Sequence, residues 1–103
     1  MTNSTGSVPK RVSLAWISEE NYPAIVAILQ NAYHLAATWE AFEEAFEIAE
    51  EGLKASGHVV VRINVEPDAF ADWCRREAIR IDTDSLEKFA ALTLAKMDAR
   101  GGH

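Results

Sequence analysis

The chain has 103 residues, of which 49% are hydrophobic and 25% are charged, and its formal net charge is −6. This length and composition predict one globular domain with a hydrophobic core, and they exclude two domains or a core that depends on disulfides or metal. The acidic balance disfavours nucleic-acid binding, because neutralising phosphates requires a basic face.

The cellular setting is indicated by three features. A single cysteine, Cys74, cannot form an internal disulfide, which fits a reducing compartment. Residues 1–10 lack the apolar region of a secretory signal. The longest apolar run, residues 24–29, is far shorter than the ~20 residues that a membrane span needs. We therefore expect a cytoplasmic protein without a membrane segment.

Residues 1–10 are polar and show no periodicity, so we expect a flexible leader before a single domain at residues 11–100, with a flexible C-terminus at residues 101–103. The domain opens with an alternating pattern over residues 11–17, in which Val12, Leu14 and Trp16 share one face. This period of two predicts a half-buried strand whose inward face carries these three residues.

A first helix is predicted to begin near Tyr22, because residues 18–20 supply a hydroxyl cap and two acids, and Pro23 is tolerated only in the first turn. Its apolar stripe consists of Tyr22, Ile25, Val26, Leu29 and Tyr33. After a break at residues 34–38, Thr38 is the expected cap of a second helix over residues 39–55, and Gly57 is its expected stop. Its apolar seam is Trp39, Phe42, Phe46, Ala49 and Leu53.

The second half of the chain repeats the order of strand and two helices. Residues 58–65 predict a strand rich in β-branched residues. Pro67 suits the first turn of a short third helix that ends near Glu77. Asp84 and Glu87 resemble a capping box for the last helix, which ends at residues 101–102. Its predicted buried stripe is Leu86, Phe89, Ala90, Thr93 and Met97.

The predicted fold is therefore α+β, with the order β-α-α-β-α-α and a small two-stranded sheet packed by about four helices. We expect the helices to cover one face of this sheet. A two-stranded sheet is marginal alone and leaves two edges open. We therefore predict a homodimer in which a second copy completes a four-stranded sheet. The sequence leaves open whether the two strands pair within one chain.

A row of glutamates along the second helix is the first candidate site. Their spacing places them on a shared face, which would attract a basic protein partner, although a solvated helix face is the ordinary explanation. Carboxylates also suit hard cations, but the chain has no Glu-x-x-His pair and no zinc-ligand spacing, so we predict no metal and no cofactor. The residues of this candidate partner face are Glu40, Glu43, Glu44, Glu47, Glu50 and Glu51.

A second candidate is a pocket or interface built from aromatic and titratable side chains. Tryptophan and tyrosine favour interfaces, although packing in the core is the ordinary explanation. Cys74 precedes two arginines that could lower its pKa, but a nucleophile also needs a base, and nothing places a histidine beside it. We therefore predict no catalytic residue. The candidates are Trp16, Tyr22, Tyr33, His34, His58, Arg62, Trp73 and Cys74.

Two segments carry a resemblance to other proteins. They are Ile-Ser-Glu-Glu-Asn-Tyr at residues 17–22 and Val-Glu-Pro-Asp-Ala-Phe-Ala-Asp-Trp-Cys at residues 65–74. With the preceding Trp16, this pattern resembles a group of small, uncharacterised bacterial proteins of proteobacterial type. The resemblance would extend over most of residues 12–97. It implies a bacterial, cytoplasmic protein and implies no activity.

The leading hypothesis is a non-enzymatic interaction or regulatory protein that acts as a homodimer. The alternative is a small-molecule-binding protein or an enzyme with a pocket at the dimer interface, where pockets often form. A DNA-binding regulator is disfavoured by the net charge of −6.

Overall fold

The computed structural model describes residues 10–101, and the remaining residues of the predicted leader and C-terminus lie outside this range. Within this range the predicted element order and the α+β class are confirmed. The elements are strand β1 (Arg11–Trp16), helix α1 (Tyr22–Ile28), a 3-10 turn (Ala32–His34), helix α2 (Trp39–Ala55), strand β2 (Val59–Asn64), helix α3 (Pro67–Glu77) and helix α4 (Thr83–Gly101).

The two strands pair with each other in the same chain, and they run parallel. The register places Arg11 opposite Val59 and Trp16 opposite Asn64. A parallel pair cannot be joined by a tight turn, because the chain must return to the starting end of the sheet. Helices α1 and α2 form this crossover. In the part of the chain that is described, the sheet has these two strands, so each strand keeps one edge without a strand partner.

Helices pack on both faces of the sheet, which differs from the expectation of one covered face. On one face Ala15 and Ile63 join a core with side chains from α1, α3 and α4. On the other face Trp16 meets α2, with its ring centroid 5.0 Å from that of Phe46 and 6.1 Å from that of Trp39. Parallel sheets commonly need both faces covered, and this small sheet follows that rule.

The inward face of β1 was predicted incompletely. Trp16 does pack against a helix, but the most buried residue of the strand is Ala15, at 4% exposure, on the face expected to be outward. Helix α4 packs mainly against β1 on that face. The small side chains of Ser13 and Ala15 leave room for a close approach of the helix backbone.

The ends of α2 are confirmed as predicted. The Thr38 hydroxyl accepts a hydrogen bond from the Ala41 amide at 3.1 Å. At the other end the amides of Gly57 and His58 donate to the carbonyls of Lys54 and Leu53, each at 3.0 Å. Gly57 has φ of 90°, a conformation that glycine adopts without steric cost. This is a Schellman motif, and it turns the chain directly into β2.

Helix α1 is shorter than its apolar stripe suggests, and the assignment of Tyr33 to that stripe is wrong. The helix ends at Ile28, and Leu29 is extended. The Gln30 amide donates to the Ile81 carbonyl at 2.8 Å, so a tertiary hydrogen bond draws the chain out of the helix. Tyr33 falls in the 3-10 turn with 81% of its surface exposed.

Helix α4 begins earlier than the predicted capping box. Asp82, rather than Asp84, supplies the cap, because its Oδ1 accepts from the Ser85 amide at 2.9 Å. The Asn31 side chain also accepts from the Thr83 amide at 3.0 Å. Along the helix, Leu94 is buried and Met97 is exposed, so the predicted stripe is wrong at its C-terminal end. The helix has run past the core by that point.

The close contact between α4 and β1 predicts that Ala15→Leu destabilises the protein. The added atoms have no space beside α4, and overpacking of this kind costs about 1–3 kcal/mol in the free energy of unfolding. Urea unfolding followed by tryptophan fluorescence measures this cost. The matched control is Ala24→Leu on the exposed side of α1, which we expect to change stability by about 0.5 kcal/mol or less. Equal effects of the two variants would contradict the packing described for Ala15.

Candidate functional site

The outward side of α2 carries most of the predicted partner face. Glu40, Glu44, Glu47 and Glu51 are exposed, and Glu43 is half-buried at the margin. Ile48 lies among them with 70% of its surface exposed. Glu44 and Glu51 are its neighbours one helical turn away on either side. We call the surface formed by Glu40, Glu44, Glu47, Ile48 and Glu51 the α2 acidic face.

Glu50 was grouped with this face, but the structure turns it towards the sheet. Only 8% of its surface is exposed, whereas Ala49, which was expected in the apolar seam, is exposed. Arg62 of β2 donates to both carboxylate oxygens, from Nε at 3.0 Å and from Nη2 at 2.8 Å. A bidentate pair of this kind fixes the geometry of both side chains. The Glu50 carboxylate is therefore already paired with Arg62 and does not belong to a surface for a partner.

Aromatic rings surround this ion pair. The Arg62 guanidinium carbon lies 4.8 Å from the ring centroid of Trp16 and 4.9 Å from that of Phe46, within range of cation–π attraction. The hydrogen bond from Arg62 is the main influence that lowers the pKa of Glu50, against the opposing effect of burial. The cluster of Trp16, Phe46, Glu50 and Arg62 therefore ties α2 to both strands.

The other candidate pocket residues do not converge on one place. The rings of Tyr33 and His34 meet edge to face on the 3-10 turn, with centroids 4.3 Å apart, and Asn31 Nδ2 lies 3.0 Å from His34 Nδ1. His58 lies at the entrance to β2, with its Nδ1 3.3 Å from the Leu53 carbonyl oxygen. These groups belong to different parts of the surface.

Three further candidates belong to the core or its margin. The buried Tyr22 hydroxyl donates to the Ala36 carbonyl, and Trp73 packs against Phe89 with ring centroids 5.4 Å apart. Cys74 is fully buried, and burial, with a smaller effect of the Asp82 charge, raises the pKa of its thiol. A raised pKa favours the protonated thiol, which is the poorer nucleophile.

A groove beside β1 was not predicted from the sequence. It is a cavity of about 380 Å³ between Arg11–Ser13 of β1 and the residues Ala91, Leu94, Ala95 and Asp98 of α4. Arg11 Nη2 and Asp98 Oδ1 form an ion pair at 3.1 Å at one end. We call this the β1–α4 groove. Its walls come from opposite ends of the chain, so no local sequence pattern could have shown it.

Comparison of the chain with protein-family models, curated protein sequences and solved structures found no match in any of the three. Among residues 10–101, no helix has the length and apolar character needed to cross a membrane. The same residues contain no group of three or more histidine, cysteine, aspartate or glutamate side chains placed to hold a metal ion.

The ion pair predicts a pH-dependent effect of Arg62→Met. At pH 7 this variant leaves the buried Glu50 carboxylate without its partner, and we expect a loss of about 1–3 kcal/mol in the free energy of unfolding. The folded-state pKa of Glu50 is lowered. Its contribution is therefore present above the unfolded-state pKa and disappears as pH falls through the folded-state value. The difference between the variant and the wild type should shrink towards pH 3.

Urea unfolding at a series of pH values provides the measurement. The matched control is Arg75→Met, which removes an exposed pair with Asp72 and should cost about 0.5 kcal/mol or less at every pH. A penalty for Arg62→Met that stays constant between pH 7 and pH 3 would show that the Glu50 charge is not its source.

Proposed function

We propose that this chain is a non-enzymatic interaction protein that binds a basic protein partner through the α2 acidic face. The observation that carries the proposal is the exposed Ile48 surrounded by exposed carboxylates. An apolar centre with a polar rim is the usual composition of a protein interface. A single exposed isoleucine needs no explanation by itself, but this one belongs to a longer apolar stripe.

The stripe runs along the exposed side of α2 and consists of Ala41, Ala45, Ile48, Gly52 and Ala55, all of which are exposed. Their spacing of four, three, four and three residues keeps them in one line on a helix. Small residues on such a line allow a partner helix to approach closely. The carboxylates of Glu44, Glu47 and Glu51 lie beside the stripe, where lysine or arginine on the partner would meet them.

Electrostatics supports a basic partner over an acidic one. The helix carries six glutamates and one lysine, Lys54, and the whole chain has a formal net charge of −6. Arg62 forms its ion pair with Glu50, and within residues 10–101 the carboxylates of Glu44, Glu47 and Glu51 form no ion pair. Such a surface accelerates association with a cationic partner and makes the rate depend on salt.

We further propose that two copies associate through the outer edge of β2. Val59 is exposed at the start of this strand. Its odd-numbered residues face β1, because the Val59 and Val65 amides donate to the carbonyls of Lys10 and Trp16 at 2.9 Å. The backbone groups of Val60, Arg62 and Asn64 therefore point away from β1. Antiparallel pairing of two β2 strands would form a four-stranded sheet.

The alternative, a ligand pocket between two copies, has weaker support. Its candidates are spread over the cluster around the Glu50–Arg62 ion pair, the 3-10 turn, the start of β2 and the core. A set of converging polar groups is what such a pocket requires.

Charge reversal tests the α2 acidic face. The variant Glu44→Lys, Glu47→Lys, Glu51→Lys should weaken binding to a fluorescent amphipathic helical peptide of leucine, alanine and lysine by at least about tenfold, or about 1.4 kcal/mol. The matched control is Glu19→Lys, Glu20→Lys, Glu77→Lys, in exposed positions outside α2. Both variants have the same net charge, so fluorescence anisotropy separates a local effect from a global one. Equal weakening would contradict the assignment to α2.

The molar mass in solution tests the dimer. Light scattering after size exclusion should give about twice 11.4 kDa at micromolar concentration. Val60→Pro should give a monomer, because it removes an outward amide that pairing with a second copy would use. Val60→Ala keeps that amide and should remain dimeric, which controls for the lost side chain. A wild-type monomer over the whole concentration range would refute the dimer.

A further inference from the structure

The outer edge of β1 has unused backbone groups. The carbonyls of Lys10 and Trp16 accept from β2, so the even-numbered residues of this strand face their partner. Successive residues alternate, and the N–H and C=O groups of Arg11, Ser13 and Ala15 therefore point to the opposite edge. Among residues 10–101, these groups make no hydrogen bond to another backbone group. The Ala15 amide meets the Glu87 carboxyl of α4, so the groups left for a partner strand are those of Arg11 and Ser13 and the Ala15 carbonyl.

The β1–α4 groove runs along this same edge. Asp98 meets Arg11 near the start of the strand, and Glu87 faces the backbone amide of Ala15 near its end, so α4 runs antiparallel to β1. Between these points the groove is walled by Ser13, Leu94 and Ala95. A strand edge beside a helix is the arrangement in which an extended peptide adds as a new strand, with alternate side chains entering the groove.

We propose that an extended segment of a partner protein adds to the outer edge of β1, placing an apolar side chain in the β1–α4 groove and a lysine or arginine beside Glu87. The two side chains are two residues apart, because residues i and i+2 of a strand lie on one face about 6.6 Å apart. That spacing matches the step along β1 from Ser13 to Ala15. The site is separate from the α2 acidic face and does not depend on it.

Charge complementarity with Glu87 favours a lysine or arginine on the partner segment. Glu87 makes no ion pair within residues 10–101. Partial desolvation of the carboxyl raises the pKa of Glu87, and the hydrogen bond from the Ala15 amide opposes this effect. The residue as a whole is exposed, so contact with water limits the rise in pKa. A cation from the partner would stabilise the ionised form, and the net charge of −6 favours approach of a basic segment.

Two fluorescein-labelled heptapeptides test the proposal, with the sequences Thr-Thr-Leu-Thr-Lys-Thr-Thr and Thr-Thr-Lys-Thr-Leu-Thr-Thr, which cover both strand directions. Fluorescence anisotropy should show saturable binding of one of them to the full chain by about 1 mM. Of two further versions of that peptide, N-methylated at the central threonine or at the residue before it, one should lose binding, because successive amides of a strand point to opposite edges. Replacing its lysine by threonine should weaken binding. Failure of both peptides to bind overturns the proposal.

Ser13→Pro removes one outward amide and should lower affinity at least about tenfold, which is about 1.4 kcal/mol. Ala95→Phe fills the groove from an exposed position and should do the same, so it keeps the test valid if proline at residue 13 impairs folding. Undiminished binding to Ala95→Phe overturns the proposal. The variant reversed at Glu44, Glu47 and Glu51 should retain peptide binding, and loss there would instead assign the peptide to α2.

Discussion

The parallel pairing of β1 and β2 is the constraint on which the rest of the structure depends. Because the strands run in the same direction, the chain between them must cross the sheet, and α1 and α2 make that crossing. A parallel sheet of two strands also exposes two faces that each need a cover. Helix α4 covers one face through the small residues of β1, and α2 covers the other through Trp16.

The Glu50–Arg62 pair fixes the position of α2 on its face of the sheet. Its bidentate geometry links the middle of α2 to β2, and Trp16 and Phe46 flank the guanidinium. The Glu50 carboxylate is buried and the Arg62 side chain is partly exposed. Desolvation of the carboxylate offsets part of the attraction, so the main effect of the pair is to fix one arrangement of α2 on the sheet. By turning Glu50 inward, it sets the rotation of α2. That rotation places Ile48 and the remaining glutamates on the outside.

The same architecture accounts for the three proposed surfaces. A helix that covers a narrow sheet keeps its far side in solvent, so the outward side of α2 is free to meet a partner. A sheet of two strands has two outer edges, and α4 borders one of them to form the β1–α4 groove. Surfaces built on regular elements hold their geometry more rigidly than loops do, which suits a protein proposed to act by binding.

The sequence by itself determined the elements with strong local signals. The alternation in residues 11–17, Thr38 and Gly57 around α2, and Pro67 in the first turn of α3 each act through the nearest few residues. The structure has these elements in the predicted order. Tertiary structure alone decided the parallel pairing, the burial of Ala15, the early end of α1 at the Gln30–Ile81 bond, and the inward turn of Glu50 towards Arg62. These outcomes depend on contacts between residues far apart in the chain. Such contacts produce no local pattern of hydrophobic residues around either partner, so the sequence alone could not predict them.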